Sequence, residues 1–187
     1  MVSAPKKPLT LDAFLTLPET NPASEFVAGD VWQKPMPQGK HSCIQTELAA
    51  SINAQLKPQR IARAFAELRC TFGDRSIVPD IAVFTWARIA RDENGEVANA
   101  FATPPDWTIE ILSPGQSQTK VTKNILYCLE RGTEMGWLVD PEEKTILIYR
   151  GDRAPLALDL PKTLLPTPNF ATHVALSVGN VFTWLKE

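Results

Sequence analysis

The chain is poor in the residues that most often announce chemistry. It has two histidines, His41 and His173, far apart in the sequence, so a histidine-built zinc site has too few ligands. Its three cysteines, Cys43, Cys70 and Cys128, are odd in number and lack the C-x-x-C spacing of metal knuckles and redox motifs. They read as free, mostly buried thiols of a reducing compartment. No run approaches the ~20 apolar residues of a membrane helix. The opening MVSAPKKPLT carries two lysines, but no apolar stretch follows to make a signal peptide. The sequence therefore predicts a cytosolic protein. Neither sign of charge dominates, since 19 Lys and Arg face 21 Asp and Glu. That balance neither favours nor excludes nucleic acid, because a local basic patch binds phosphate on a mildly acidic protein.

What is present is a periodic pattern sufficient for one domain over residues 1–187, with residues 1–9 expected to be flexible. Thr10 reads as the N-cap of a short helix through Leu11, Phe14 and Leu15 that Pro18 ends. EFVAGDVWQ reads as a hairpin turning at Gly29-Asp30. From His41 to Leu56 the apolar residues Ile44, Leu48, Ala49 and Ile52 recur at helical spacing. Residues 62–72 alternate Ala62, Ala64, Ala66, Leu68 and Cys70 as one half-buried strand, and SIVPDIAVFTW continues in strand character after Gly73-Asp74. Residues 87–105 are polar and read as an excursion between core strands. A helix from about Thr119 to Arg131 closes at Gly132. MGWLVD and TILIYR flank the turn PEEK as a second hairpin. Residues 151–170 show no clear periodicity, and VFTWLKE is expected to form a last helical turn capped by Asn180. The order predicts an α/β or α+β domain, a central mixed β-sheet flanked by helices.

Within that pattern two acids are out of place. Trp107, Thr108, Ile109, Ile111 and Leu112 form a strand of buried character with Glu110 in its middle, and burying an unpaired charge costs about several kcal/mol. Asp80 follows Pro79 at the entrance of the apolar strand IAVFTW. Either Glu110 faces water on an edge strand, or something cationic meets it. Two bare acids on neighbouring strands would repel, and a divalent ion is the simplest neutraliser. Hard oxygen ligands suit Mg²⁺ or Mn²⁺. The plainer alternative is a turn aspartate and a solvated glutamate.

VPD before one strand and EIL on a second resemble the restriction-endonuclease-like superfamily and its PD-(D/E)xK motif. EFVAGD, HSCIQTEL, VPDIAVF, PPDWTIEILSP, KNILY and GWLVDPEEKTILIY, in that order, resemble the Uma-type restriction endonucleases over most of residues 10–185. The resemblance implies a restriction-endonuclease-like fold, a metal-dependent DNA endonuclease working with Mg²⁺ or Mn²⁺, and a homodimer. It implies Asp80, Glu110 and the main-chain carbonyl of Ile111 as metal ligands, with Glu25 as a third acid.

The superfamily's lysine stands two residues after the second acid, where this chain has Leu112. The Uma-type pattern places it on the next helix, four residues before a tyrosine, which implies Lys123 with Tyr127. On a helical wheel Val121, Ile125 and Leu129 form the core face, and Lys120, Lys123, Asn124 and Tyr127 lie opposite. Lys123 is then expected to reach back toward Glu110, with Tyr127, Lys120 and His41 as substrate contacts; the alternatives are a solvated face and a polar cap. SPGQSQTK leads into that helix and offers a phosphate site, or is simply a turn. Two departures, Thr119 where the family has an acid and GTEMGW for its Gly-Val-x-Glu-Tyr-Trp run, leave an alternative function: a catalytically inactive nuclease-fold module binding DNA or a protein partner.

Overall fold

Apolar residues buried along the central strands build the sheet on which the rest of the chain is laid. A computed structural model describes residues 9–187, so nearly all of the expected flexible start lies outside the described residues. The helices are α1 (Leu11–Leu15), α2 (Gly39–Leu56), α3 (Gln118–Leu129) and α4 (Val178–Thr183). The strands are β1 (Ser24–Val27), β2 (Asp30–Gln33), β3 (Ala62–Ala66), β4 (Cys70–Phe72), β5 (Arg75–Ile77), β6 (Ile81–Thr85), β7 (Trp107–Ile111), β8 (Met135–Asp140), β9 (Thr145–Arg150) and β10 (Arg153–Leu158).

The larger sheet has the order β10-β9-β8-β7-β6-β3. It is mixed: β7 and β8 run parallel, joined by the crossover helix α3, and every other pair is antiparallel. The smaller sheet is antiparallel throughout, in the order β2-β1-β5-β4.

Period-two alternation gives the larger sheet two unlike faces. Ile81, Val83, Trp107, Ile109, Ile111, Trp137 and Val139 join the core made with Ile44, Leu48, Ile52 and Leu56 of α2 and Val181 of α4. Trp107 and Trp137 meet edge to face there, ring centroids 4.7 Å apart. The other face receives α3 and the smaller sheet. Gly136 lies under α3 because any β-carbon at that position would strike the Ile125 side chain.

Several expectations are corrected by the fold. Residues 62–72 are two strands, since Glu67 adopts a left-handed conformation (φ 49°) and sends β4 into the smaller sheet. The alternation passes through the bend unbroken, which is why it resembled one strand. The hairpin turns at Ala28-Gly29, both with positive φ, and Asp30 already pairs with Val27. Pro79 lies in a break that separates β5 from β6. The excursion is partly structural, with Ile89 and Phe101 buried in the second core. β10 was not anticipated because, as an edge strand exposed along most of its length, it has no buried face to pattern. α4 is capped by Ser177, and Asn180 is its reciprocal partner in a capping box rather than the cap.

Candidate active site

Register brings the two acids together. β6 and β7 pair with Ile81 opposite Ile109, so the residue before β6 lies beside the end of β7. Asp80 Oδ2 accepts the Ile111 amide at 2.7 Å. Because Ile109 and Ile111 point into the apolar core, Glu110 must point to the opposite face, toward α3 and the smaller sheet. Glu25 arrives from β1. Its Oε1 accepts the Val78 amide at 2.8 Å and its Oε2 accepts Asn124 Nδ2 at 3.0 Å. All three acids are buried.

The cation that meets them is Lys34, one residue beyond β2. Its amide donates to the Ala23 carbonyl at 2.9 Å and extends the hairpin pairing. Its Nζ donates to Asp80 Oδ1 at 2.6 Å and to the Val78 carbonyl at 2.7 Å, and stands 3.6 Å from Glu110 Oε2. Sequence reasoning missed this residue, although its signal was present. In the β1–β2 register Glu25 faces Trp32 across the hairpin, and Lys34, two residues on, shares their face.

The four groups do not titrate alike. Burial would pull the Lys34 pKa down, but the Asp80 and Glu110 carboxylates outweigh it and hold the lysine above its ordinary range. Burial would likewise push Asp80 up, and Lys34 together with His41 instead holds it at about 2. Glu110 goes the other way. Burial raises its pKa well above that of a free glutamate, and Lys34 offsets this only in part against the neighbouring acids. Glu25 is raised by burial as well. The site is therefore a tight Lys34–Asp80 ion pair flanked by two carboxyls that resist ionising beside it.

His41 stands in the first turn of α2, with Nδ1 3.1 Å from Ser113 Oγ. Its buried Nε2 makes no hydrogen bond and lies 3.4 Å from Asp80 Oδ1. Two cavities open on these groups. The larger, about 350 Å³, is lined by Glu25, Glu110, Lys34, Trp32, Lys120 and the loop from Pro114 to Ser117, among others. The second, about 220 Å³, is lined by Asp80, His41, Lys34 and the segment Asn21–Ala23, among others.

α3 contributes differently from its predicted wheel. Lys120 lies on the cavity, its Nζ 4.6 Å above the Trp32 ring. Asn124 is buried against Glu25. Lys123 is exposed and lines neither cavity, because at ~100° per residue it sits roughly 110° round the helix from the middle of the Ser117, Lys120, Val121, Asn124 stripe. Tyr127 is buried elsewhere. The Arg75 and Arg131 guanidinium groups lie over its ring, 3.9 and 3.5 Å from its centroid, and its hydroxyl donates to Asp74 Oδ1 at 2.6 Å. α3 therefore has two buried faces, one for each sheet, where the wheel assumed one. The structure brings Asp80, Glu110, Glu25, Ile111, His41 and Lys120 to one place, and not Lys123 or Tyr127.

Among the described residues no group of three or more His, Cys, Asp or Glu side chains is placed to hold a metal ion. The donor set nevertheless fits Mg²⁺ or Mn²⁺ in kind. Lys34 Nζ is surrounded by oxygen donors alone, the ligands those ions require, and it marks a point where a cation is stable. The buried thiols play no part as nucleophiles, since burial pushes Cys70 up to about 12 and raises Cys128 also.

The chain matches the Uma2 family model, described as "Putative restriction endonuclease", over residues 11–179. It is similar to the crystal structure of a "putative nuclease" from Anabaena variabilis at 63% identity and a TM-score of 0.94, over 95% of this chain and 99% of that one. No curated protein matches the sequence.

Proposed function

We propose, on the premise that the chain belongs to the Uma2 family of restriction endonucleases, that it is a metal-dependent endonuclease hydrolysing phosphodiester bonds in DNA. The observation that carries this reading is the convergence of two buried carboxyl groups, Asp80 and Glu110, on one lysine ammonium beside an open cleft that a third buried acid, Glu25, also lines. Glu25, Glu110 and Lys34 all line that cleft, and paired buried carboxyl groups serve no evident packing role.

In this reading Asp80 and Glu110 hold Mg²⁺ or Mn²⁺ through their carboxylate oxygens, and Glu25 is the third acid. Ile111 adds its main-chain carbonyl. Its amide already faces Asp80, and in an extended chain the N–H and C=O of one residue leave on the same side. When bound, the ion polarises the scissile phosphate and lowers the pKa of an attacking water. Lys34, rather than Lys123, orients that water or balances the charge that develops on phosphorus. Lys120 and the Pro114–Ser117 loop meet the DNA backbone, and His41 positions Asp80. Lys123 and Tyr127 carry no step. The protein works in the cytosol as a homodimer, one copy for each strand of a duplex. No described helix is long and apolar enough to cross a membrane.

Plasmid relaxation tests the reading. Purified protein should nick or cut DNA with Mg²⁺ or Mn²⁺ and stop with EDTA, and Glu110→Gln should lower the rate by ~10²-fold or more. No cleavage of duplex, single-stranded or branched DNA with either metal would leave the inactive nuclease-fold module as the better account. One feature would then explain it, the ammonium already standing among the acids.

A further inference from the structure

We propose that the Lys34 ammonium is a built-in occupant of the cation position, displaced when a divalent metal binds and thereby released toward phosphate in the cleft. The inference rests on the metal-dependent reading above and specifies how its site is regulated.

Three observations carry it. First, the ammonium takes the oxygen donors a divalent ion would need, at 2.6 Å from Asp80 Oδ1, 2.7 Å from the Val78 carbonyl and 3.6 Å from Glu110 Oε2. A single positive charge there matches only one of the carboxyl groups gathered round it, so a doubly charged ion would compensate them better.

Second, Lys34 divides the space. Asp80 and His41 line the smaller cavity, whereas Glu25 and Glu110 line the larger, and only Lys34, Pro35 and Gln116 line both. While the ammonium is seated, Asp80 and Glu110 face no common cavity. Its withdrawal would remove one of the three residues that stand between them, and His41 Nε2, buried and unpartnered, lies 3.4 Å from Asp80 Oδ1 on the smaller cavity.

Third, the side chain can leave without moving the fold. The main chain of Lys34 is tied to Ala23 through its amide, so only the flexible stem need turn. That side chain is 13% exposed and borders the larger cavity, so its path leads to the cleft.

Displacement makes metal binding pay for breaking the Lys34–Asp80 pair, so the apparent affinity falls by the fraction of molecules with the ammonium withdrawn. Calorimetric titration of full-length protein with MnCl₂ reads this directly: Lys34→Met should bind at least ~10-fold more tightly than wild type. Wild type supplies the second measurement, should Lys34→Met not fold. Amine labelling followed by mass spectrometry should find Lys34 protected in EDTA and at least ~10-fold more reactive in saturating MnCl₂, with Lys120 as the internal reference. Mn²⁺ bound by wild type while Lys34 stays protected overturns the displacement and leaves the metal-dependent reading standing. So does equal Mn²⁺ affinity in the two proteins. No Mn²⁺ binding by either protein overturns both.

Discussion

The two faces of the larger sheet are built from the same five residues of β7 and could hardly differ more. Trp107, Ile109 and Ile111 enter a core sealed by α2 and α4, whereas Thr108 and Glu110 meet α3, the smaller sheet and an ion pair. On the dry face every contact is replaceable by another of similar shape, and its energy is set by area and packing. On the wet face the groups are few, and each is satisfied by one particular partner. Stability resides mainly in the first and, in the proposed reading, chemistry in the second, and the two are separable because a strand sends alternate residues to opposite sides.

Substitution should expose that division, most strongly on the dry face. Trp137→Ala should cost about 3–5 kcal/mol in chemical denaturation, the same with metal or with EDTA, while the surviving folded fraction keeps its turnover. A loss that metal repairs would mean that the apolar face also shapes the site.

A smaller effect of opposite sign is expected on the wet face. The folded pKa of Glu110 is raised above its unfolded value, so the folded chain binds the extra proton and stability declines as pH rises through the raised value. In EDTA, Glu110→Gln should therefore be more stable than wild type at pH 8, with a shallower slope, and the difference should vanish near pH 4. Glu25, also raised, keeps some slope in both proteins. Denaturant melts across pH check this, and a variant less stable than wild type at pH 8 would make Glu110 a structural partner of Lys34.

The smallest effect belongs outside both faces. Lys123→Ala should change stability by no more than about 0.5 kcal/mol and leave DNA turnover at saturating metal nearly unchanged. A fall of ~10²-fold in turnover would return the lysine role to position 123 and remove it from Lys34.

The sequence revealed the dry face and half of the wet one. Helical spacing along α2 and apolar alternation along β6, β7 and β8 are local signals, written into residues that also end up neighbours. The misplaced acids were legible for the same reason, since Glu110 and Asp80 each contradict the strand around them. Lys34 contradicts nothing nearby: a lysine between a strand and a proline is ordinary, and only the packing of one sheet on another carries it to Asp80, 46 residues away. The spacing of Lys123 from Tyr127 is a local signal, whereas the turn of α3 relative to the cavity, which decides what a helical residue faces, is tertiary.

Read from one edge to the other, the strands of the larger sheet run β3, β6, β7, β8, β9, β10, the order in which they are synthesised. A sheet with this property can be laid down by accretion. Each strand, as it leaves the ribosome, joins the open edge left by its predecessor, and none has to be inserted between two already paired. Glu25, Lys34, Asp80 and Glu110 all precede α3 in the chain, and the helix that brings Asn124 to Glu25 follows them. β9 still belongs to the buried centre, with Ile146 and Ile148 in the main core, so it is β10, exposed along most of its length, whose sequence is freest to drift at the growing margin.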